Sequence, residues 1–286
     1  MKTGARRRLD IELVRRGLVA TRQDAQAAIA AGTVVVAGST AAKGARLVSP
    51  AEPIVLLGPP SPFASRGGHK LHAALTRFDV PVSGRRALDL GASTGGFTDC
   101  LLQHGAAHVY SVDVGHGQLD QRLRADSRVT VLERVNARLL TPALLHEADP
   151  DFEPCALVTA DLSFISLRTV TPTLCGPVGR PDADLVLLVK PQFEAGRGVV
   201  SRGRGVVRDP EVWLDVLAGV TSALRDAGTG IMGAMMSPLT GPAGNIEFLV
   251  HARKGAEGRP SGGITALLSD AVSEAGGHPQ PAGDPD

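Results

Sequence analysis

Four charged residues that lie far apart in the chain, Lys70, Asp161, Lys190 and Glu247, have the side chains of a proton-transfer centre. A lysine acts as a base only in its neutral form, which desolvation or a neighbouring cation favours. Two lysines and two carboxylates that meet at one point can supply a base and the groups that orient it. Taken singly, each is more often an ordinary surface residue, so the prediction depends on their coming together.

The elements around these residues are predicted to bring them to one edge of a sheet. Asp161 and Lys190 each follow a run of apolar residues, and Pro191 ends the second run. In a mostly parallel sheet, ligands bind beyond the carboxyl ends of the strands. Glu247 lies near the start of a third apolar run, and an antiparallel strand would begin at that same edge. Lys70 opens an amphipathic helix that can cover the edge.

A glycine-rich loop next to this edge predicts a nucleoside-binding site. Residues 87–90 predict a short buried strand, and three glycines at G-x-x-x-G-G spacing lead from it into a helix. Glycine lets the backbone approach a ligand closely and adopt conformations that other residues resist. The next predicted strand ends at Asp113, whose carboxylate can accept hydrogen bonds from ribose hydroxyls.

The glycine spacing discriminates between ligands. The dinucleotide pattern G-x-G-x-x-G would need a glycine where this chain has Ser93, and the Walker pattern of nucleoside triphosphatases is absent. A cofactor without a pyrophosphate is favoured, and S-adenosyl-L-methionine fits; the alternative is a tight turn in another kind of α/β protein. The residues predicted to bind the cofactor are Asp89, Gly91, Ala92, Ser93, Gly95, Gly96, Phe97, Asp113 and Asp161.

Length and composition place these motifs in a globular chain. A chain of 286 residues can hold one large α/β domain and a small second one. Strand and helix patterns alternate over residues 87–253, which predicts a Rossmann-like, doubly wound sheet. Three scattered cysteines without a C-x-x-C pair predict free thiols and no metal site. We expect a cytoplasmic protein without a membrane partner, because neither a signal peptide nor a long apolar span is visible.

The first 60 residues carry a concentrated positive charge. They contain nine Lys or Arg and four Asp or Glu, a net charge of +5, whereas the whole chain has +1. Their pattern predicts two short helices followed by a small sheet. A basic domain of this kind is typical of polyanion binders, although a solvated basic face is nearly as common. The residues predicted to bind RNA are Arg6, Arg7, Arg8, Arg15, Arg16 and Arg22.

The same segment resembles a known RNA-binding module. Residues 9–57 are similar to the S4-like domain, most clearly at residues 13–18, 21–22 and 32–34. The resemblance covers nearly the whole segment and implies a small α+β domain that binds structured RNA.

The complete set of motifs resembles the TlyA family, whose members bear the names haemolysin and rRNA 2′-O-methyltransferase. The motifs that carry this resemblance lie at residues 65–70, 88–97, 160–165, 188–194 and 244–248. The catalytic part is similar to the FtsJ-type methyltransferases, and their Lys–Asp–Lys–Glu tetrad falls on the four charged residues named first. The resemblance implies methylation of cytidine riboses in small- and large-subunit rRNA by S-adenosyl-L-methionine, with rRNA or ribosomal subunits as partners.

The chemistry of ribose methylation assigns a role to each tetrad residue. A ribose 2′-hydroxyl is a poor nucleophile until a base removes its proton. We assign Lys190 as that base, with Lys70 and Glu247 positioning the hydroxyl and Asp161 touching both the base and the cofactor. Much of the acceleration should come from alignment of hydroxyl, methyl and sulfur, and no metal is needed.

The motifs predict four segments along the chain. These are an S4-like domain at 1–58, a linker at 59–65, a methyltransferase domain at 66–253, and a C-terminal part at 254–286 with a helix near 264–272 and a disordered tail. Residues 194–205 predict a loop rich in Gly and Arg that either holds RNA phosphates or is only mobile. The family's Arg-x-Trp-x linker is replaced here by Ser61-Pro-Phe-Ala64, which keeps an aromatic residue and lacks the arginine.

Three alternative functions predict other features. A non-catalytic RNA-binding ribosome assembly factor predicts a broken cofactor loop or tetrad, and both are intact. A haemolysin-type membrane-active protein predicts a spanning or strongly amphipathic segment, and the sequence shows neither. A pseudouridine synthase with an S4-like domain would not need the glycine loop. The sequence gives no indication of the oligomeric state.

Overall fold

The computed structural model describes residues 6–19, 21–57, 62–203 and 205–276. The chain divides into two compact units, Met1–Pro62 and Phe63–Asp286. Residues 58–61 of the predicted linker region and the tail after residue 276 lie outside the described residues. The predictions for those segments therefore stay predictions.

The first unit is a small α+β fold, as its sequence pattern predicts. Its helices are α1 (Leu9–Arg15) and α2 (Arg22–Ala30), and the strands are β1 (Arg7–Arg8), β2 (Val34–Val36), β3 (Ser39–Thr40), β4 (Leu47–Val48) and β5 (Ile54–Leu56). The strands β3, β2 and β5 form an antiparallel sheet in that order, and β1 pairs with β4. A reciprocal capping box between Thr21 and Asp24 fixes the start of α2.

The second unit is built on a seven-stranded sheet. The strands are β6 (Arg86–Leu90), β7 (His108–Asp113), β8 (Val129–Glu133), β9 (Cys155–Ala160), β10 (Gly179–Val189), β11 (Thr229–Met236) and β12 (Phe248–Lys254). Their order across the sheet is β11-β12-β10-β9-β6-β7-β8. The five strands from β10 to β8 are mutually parallel, and β12 runs antiparallel to both of its neighbours.

Helices cover both faces of this sheet. They are α3 (Gly67–Phe78), α4 (Gly96–Gln103), α5 (Gln121–Arg124), α6 (Pro142–Ala148), α7 (Leu167–Leu174), α8 (Pro191–Glu194), α9 (Arg197–Arg202), α10 (Pro210–Asp226) and α11 (Ser261–Gly276). On one face, residues of α3 and α4 such as Leu71 and Leu101 pack on Leu188 of β10. On the other face, α7, α10 and α11 pack on the alternate residues of β10, such as Leu187. Burial on both faces explains the continuous apolar runs of the central strands.

The strand order produces a cleft at the edge where the functional residues lie. The chain winds outward from β6 to β7 and β8 on one side, then crosses over to β9 and β10 on the other. Connections that leave neighbouring strands in opposite directions open a crevice beyond the carboxyl ends of β6 and β9. The predicted α/β class and doubly wound sheet are confirmed.

Three local predictions differ from the structure. Residues 194–205 were expected to form a loop, but a short helix, α9, occupies part of this segment. The C-terminal helix is longer than the predicted 264–272, because Ser261–Gly276 continues the apolar stripe that packs on the sheet. Strand β12 begins at Phe248, so Glu247 precedes the strand and does not lie within it.

Candidate active site

The cofactor loop connects β6 to α4 and touches the loop that follows β9. Gly91 has a φ of +84°, and a Cβ built there would lie 2.5 Å from the backbone oxygen of Asp161. Any larger residue would therefore push the two loops apart. Ser93 also has a positive φ, and its backbone N–H donates to Asp113 Oδ2 at 2.9 Å. The acid at the tip of β7 thus fixes the shape of the loop as well as lining the cleft.

A cavity of about 600 Å³ lies beyond the ends of β6, β7 and β9. Its size and its mixture of apolar and polar walls suit a nucleoside. Asp113 offers a carboxylate at the strand tip where ribose hydroxyls are bound in related folds. The residues around this space include Gly91, Ser93, Asp113, Val135, Asn136 and Leu162.

Two residues predicted to contact the cofactor lie behind the loop. Asp89 is completely buried, and its carboxylate accepts hydrogen bonds from the hydroxyls of Thr98 at 2.7 Å and Thr159 at 3.2 Å. Burial raises the pKa of Asp89 to about 7, although these hydrogen bonds oppose the rise. A Cβ at Gly95 would lie 2.2 Å from a methyl of Leu123, on the side away from the cavity. Both residues support the loop from beneath.

The four predicted tetrad residues come together as two ion pairs. Lys70 Nζ lies 2.5 Å from Glu247 Oε2, and Lys190 Nζ lies 2.5 Å from Asp161 Oδ1. Lys190 also donates a hydrogen bond to Ser163 Oγ at 3.0 Å. All four residues line one cavity of about 330 Å³. The grouping predicted from the sequence is therefore present.

The tetrad cavity and the nucleoside-sized cavity are adjacent. Both are lined by Gly91, Ser93, Asp161 and Ser163. A group bound along the glycine loop can thus present one end to Lys190. This shared wall provides the geometry for transfer from a bound cofactor to a second substrate.

Burial sets the electrostatics of the Lys70–Glu247 pair. Lys70 is 8% exposed and Glu247 is 1% exposed. Burial raises the pKa of Glu247; the ammonium groups of Lys70 and Lys190 oppose this rise, and the charge of Asp161 adds to it. A buried, paired amine and carboxylate form a rigid polar wall, because breaking the pair would leave a charge without a partner.

Packing of the surrounding elements places each tetrad residue. Lys70 lies in the first turn of α3, next to Leu71, which is fully buried. Pro191 begins α8 directly after Lys190, so the chain turns at the strand tip. A Cβ at Gly241 would lie 2.6 Å from Glu247 Oε1, which shows how closely the loop before β12 encloses this carboxylate.

Sequence reasoning missed several residues that line the two cavities. Ser163 contacts the amine of Lys190, and Phe164 next to it is 90% exposed with a φ of +65°. An exposed aromatic residue at a strand tip is a feature of nucleic-acid binding surfaces. The signal was available, because aromatic residues make up only 3% of the chain and this one stands three positions after Asp161. Other cavity residues not predicted are Arg66, Thr94, Asn136 and Thr240.

In the first unit, two buried acids hold four of the arginines predicted to bind RNA. Asp10 pairs with Arg8 at 2.9 Å and with Arg22 at 3.0 Å. The hydrogen bond from Arg8 is the main cause that holds the pKa of Asp10 far below its usual range. The side chains of Arg8 and Arg22 remain 42% and 55% exposed. They can still meet a phosphate, although Asp10 offsets part of their charge.

The second acid, Glu12, binds the other two arginines. Its carboxylate accepts hydrogen bonds from Arg15 at 2.6 Å and Arg16 at 2.9 Å, and these lower the pKa of Glu12 to about 2. The remaining guanidinium nitrogens of Arg16 donate to backbone oxygens of residues 49, 50 and 52. Arg16 therefore ties α1 to the loop before β5. Its contacts favour a structural role, while RNA binding by Arg6, Arg7 and the other arginines stays a prediction.

Two features are absent from the described part of the chain. No helix there is both long and apolar enough to cross a bilayer. No three His, Cys, Asp or Glu side chains are grouped there in a way that could hold a metal ion.

Comparison with known proteins gives the family. The model of the FtsJ-like methyltransferases matches residues 63–254. The 16S/23S rRNA (cytidine-2′-O)-methyltransferase TlyA of Mycobacterium tuberculosis is 48% identical over 272 residues, which cover 94% of this chain and 98% of that protein. The chain belongs to the TlyA family of FtsJ-like methyltransferases. The predicted family is confirmed.

Other members of the TlyA family carry a different name. Hemolysin A of Brachyspira hyodysenteriae is 38% identical over 85% of this chain and 98% of its own length. A solved structure from Streptococcus thermophilus, also described as a hemolysin, is 36% identical, with a TM-score of 0.70 over 95% of this chain and 98% of that one. Proteins with both names thus share the TlyA architecture.

Proposed function

We propose that this protein transfers the methyl group of S-adenosyl-L-methionine to ribose 2′-oxygens of rRNA. The observation that carries the proposal is that the glycine-loop cavity shares lining residues with an adjacent cavity lined by all four tetrad residues. Membership of the TlyA family and the FtsJ-like domain support the same reaction. As the relative's name indicates, the targets are proposed to be cytidines of 16S and 23S rRNA.

The cavity beyond β6, β7 and β9 fits S-adenosyl-L-methionine. Gly91 keeps the loop close to the β9 strand tip, and Asp113 offers a carboxylate where the ribose hydroxyls would lie. Asp161 lines both cavities, so it can contact both the cofactor and the proposed base, Lys190. The bound cofactor supplies an electrophilic methyl group on a sulfonium sulfur.

The proposed base is Lys190. In its neutral form, Lys190 Nζ accepts the proton of the ribose 2′-hydroxyl as the oxygen becomes nucleophilic. The contacts of Lys190 with Asp161 and Ser163 limit the directions in which the amine can turn. Lys70 and Glu247, which line the same cavity, hold the hydroxyl, so that positioning contributes much of the acceleration.

The basic first unit is proposed to bind rRNA or a ribosomal subunit. Its net charge of +5 attracts phosphates, and its exposed arginines can contact them. The second candidate function, membrane activity, is favoured by the name Hemolysin A of one relative and by similar solved structures that are also described as hemolysins. Because rRNA is the proposed substrate, we expect the protein to act in the cytoplasm.

Mass mapping of ribose methylation tests this function. Ribosomal subunits or naked rRNA are incubated with the protein and S-adenosyl-L-methionine, and nuclease fragments are weighed. We expect a methyl group on the ribose of specific cytidines, dependent on the cofactor. Fragments without added mass from subunits and from naked rRNA would support the non-catalytic alternative.

A further inference from the structure

The loops that follow β9 and β10 are joined at two places. The first is the ion pair of Asp161 with Lys190, at the strand tips. The second lies further from the sheet, where Glu194 Oε2 accepts a hydrogen bond from Ser166 Oγ and Glu194 Oε1 accepts one from the backbone N–H of Leu167, both at 2.5 Å. Together the two contacts close a ring formed by residues 161–167 and 190–194.

Hydrogen-bond donors at the start of α7 surround the carboxylate of Glu194. It is 6% exposed, and Arg168 donates both to its backbone oxygen at 2.7 Å and to its carboxylate at 3.3 Å. A buried carboxylate needs such donors to offset its lost hydration. Hydrogen bonds to a charged group are also stronger than neutral ones and more directional. The position of α8 relative to the start of α7 is therefore closely defined.

The backbone between the two contacts is strained. Phe164 has a φ of +65°, a conformation that bulky residues rarely adopt, and Ser163 just before it contacts the amine of Lys190. Strained backbone persists where its surroundings hold it from both sides. Asp161 holds one end of this segment, and the Ser166–Glu194 hydrogen bond holds the other.

We propose that Glu194 is a positioning residue for methyl transfer. By holding the 161–167 segment against α8, it keeps Asp161 and Ser163 where they direct Lys190 Nζ into the tetrad cavity. The inference rests on the proposed function of Lys190 as the base. Loss of the Glu194 carboxylate would let the strained loop relax, and the amine would spend less time in the reactive geometry.

The test compares Glu194→Gln with a matched control, Asp209→Asn. Like Glu194, Asp209 has a carboxylate that accepts a backbone N–H at the start of a helix, here that of Glu211 at 3.0 Å, but Asp209 does not line either cavity. For each variant we would measure the melting temperature, the dissociation constants of S-adenosyl-L-methionine and RNA, and the single-turnover rate with both ligands saturating.

We expect Glu194→Gln to slow single turnover by about tenfold or more while both dissociation constants stay within about threefold of wild type. Asp209→Asn should leave the rate unchanged. If Glu194→Gln unfolds, Ser166→Ala takes its place. It removes one donor to Glu194 and the N-cap of α7, and it should slow turnover in the same direction by a smaller factor.

Two results would overturn the inference. One is a wild-type rate in Glu194→Gln or, where that variant is unfolded, in Ser166→Ala. The other is a slower rate that is accompanied by a lower melting temperature and by weaker binding of both ligands, which would indicate a structural role. Lys190→Ala distinguishes a failure of the proposed base from a failure of the inferred role of Glu194. If Lys190→Ala is inactive while Glu194→Gln has the wild-type rate, only the role of Glu194 is wrong. If Lys190→Ala keeps the wild-type rate, the proposed base is wrong and the inference falls with it.

Discussion

Gly91 is the residue at which the cofactor loop and the tetrad meet. Its missing side chain lets the loop lie against the backbone of Asp161, and its positive φ is open to glycine and strained for other residues. A single methyl group at this position would push the loop away from the backbone of Asp161. The nearby Gly95, which the sequence also predicts as a cofactor contact, faces Leu119 and Leu123, so a larger residue there would disturb packing first.

Gly91→Ala should weaken S-adenosyl-L-methionine binding by about tenfold or more, because a Cβ there would lie 2.5 Å from the oxygen of Asp161. Isothermal calorimetry measures this affinity. The control is Gly117→Ala, which has a similar positive φ of +69° and open space around the added methyl. Equal affinities for the two variants would show that backbone strain alone, and not the close approach, is what the substitution changes.

At the scale of elements, Asp89 joins three of them beneath the cofactor loop. It lies on β6, and its carboxylate accepts hydrogen bonds from Thr98 of α4 and Thr159 of β9. A carboxyl group enclosed in this way favours its neutral form, because burial raises its pKa to about 7. The folded state therefore keeps a proton that the unfolded chain releases near pH 4.

This difference makes stability depend on pH in a defined direction. Between about pH 4 and pH 7 the folded state binds more protons at Asp89 than the unfolded state does, so its contribution to the free energy of unfolding falls as pH rises. The free energy of unfolding of wild type minus that of Asp89→Asn should fall across this window, on the order of 4 kcal/mol. Denaturant titrations at several pH values measure it.

Asp184 provides a control of opposite sign. Burial alone would raise its pKa, but hydrogen bonds from His251 and Arg253 outweigh burial and lower the pKa to about 2. Its stabilising contribution is present above about pH 4 and is lost as pH falls toward 2. The difference between wild type and Asp184→Asn should therefore rise from pH 2 to pH 4, the direction opposite to that expected for Asp89. A flat profile for Asp89→Asn between pH 4 and pH 7 would contradict the neutral form of Asp89.

The elements show which parts of the site were predictable from sequence. Apolar runs followed by a charged residue placed Asp161 and Lys190 at strand tips, because parallel strands buried on both faces leave a clear pattern. The orientation of a side chain within a turn leaves no such pattern. Asp89 was expected to face the ligand and faces the core, and Ser163 and Phe164 were missed because a loop has no periodicity to read.

At the scale of the whole molecule, charge and chemistry are separated along the chain. The first unit carries a net charge of +5, whereas the whole chain carries +1. The rest of the chain therefore has a negative net charge. The tetrad and the cofactor cavity are formed by residues of the second unit. This division predicts that RNA affinity and cofactor affinity respond to different parts of the chain.

Deletion of residues 1–60 should raise the dissociation constant for RNA and flatten its dependence on salt, because fewer counterions are released on binding. The dissociation constant for S-adenosyl-L-methionine should change little. Filter binding at several salt concentrations and calorimetry measure the two quantities. Loss of cofactor affinity with RNA binding intact would contradict the division between the units.

The central claim is that Lys190 removes the proton from the ribose hydroxyl, and Lys190→Arg tests it most directly. Arginine keeps the positive charge but stays protonated at any working pH, so it cannot act as a base. The measurement is the single-turnover rate of methyl transfer to rRNA with both ligands saturating, for wild type and Lys190→Arg. We expect the variant to be slower by about a hundredfold or more, with cofactor and RNA affinities near those of wild type. A near-normal rate for Lys190→Arg would contradict proton abstraction by this residue.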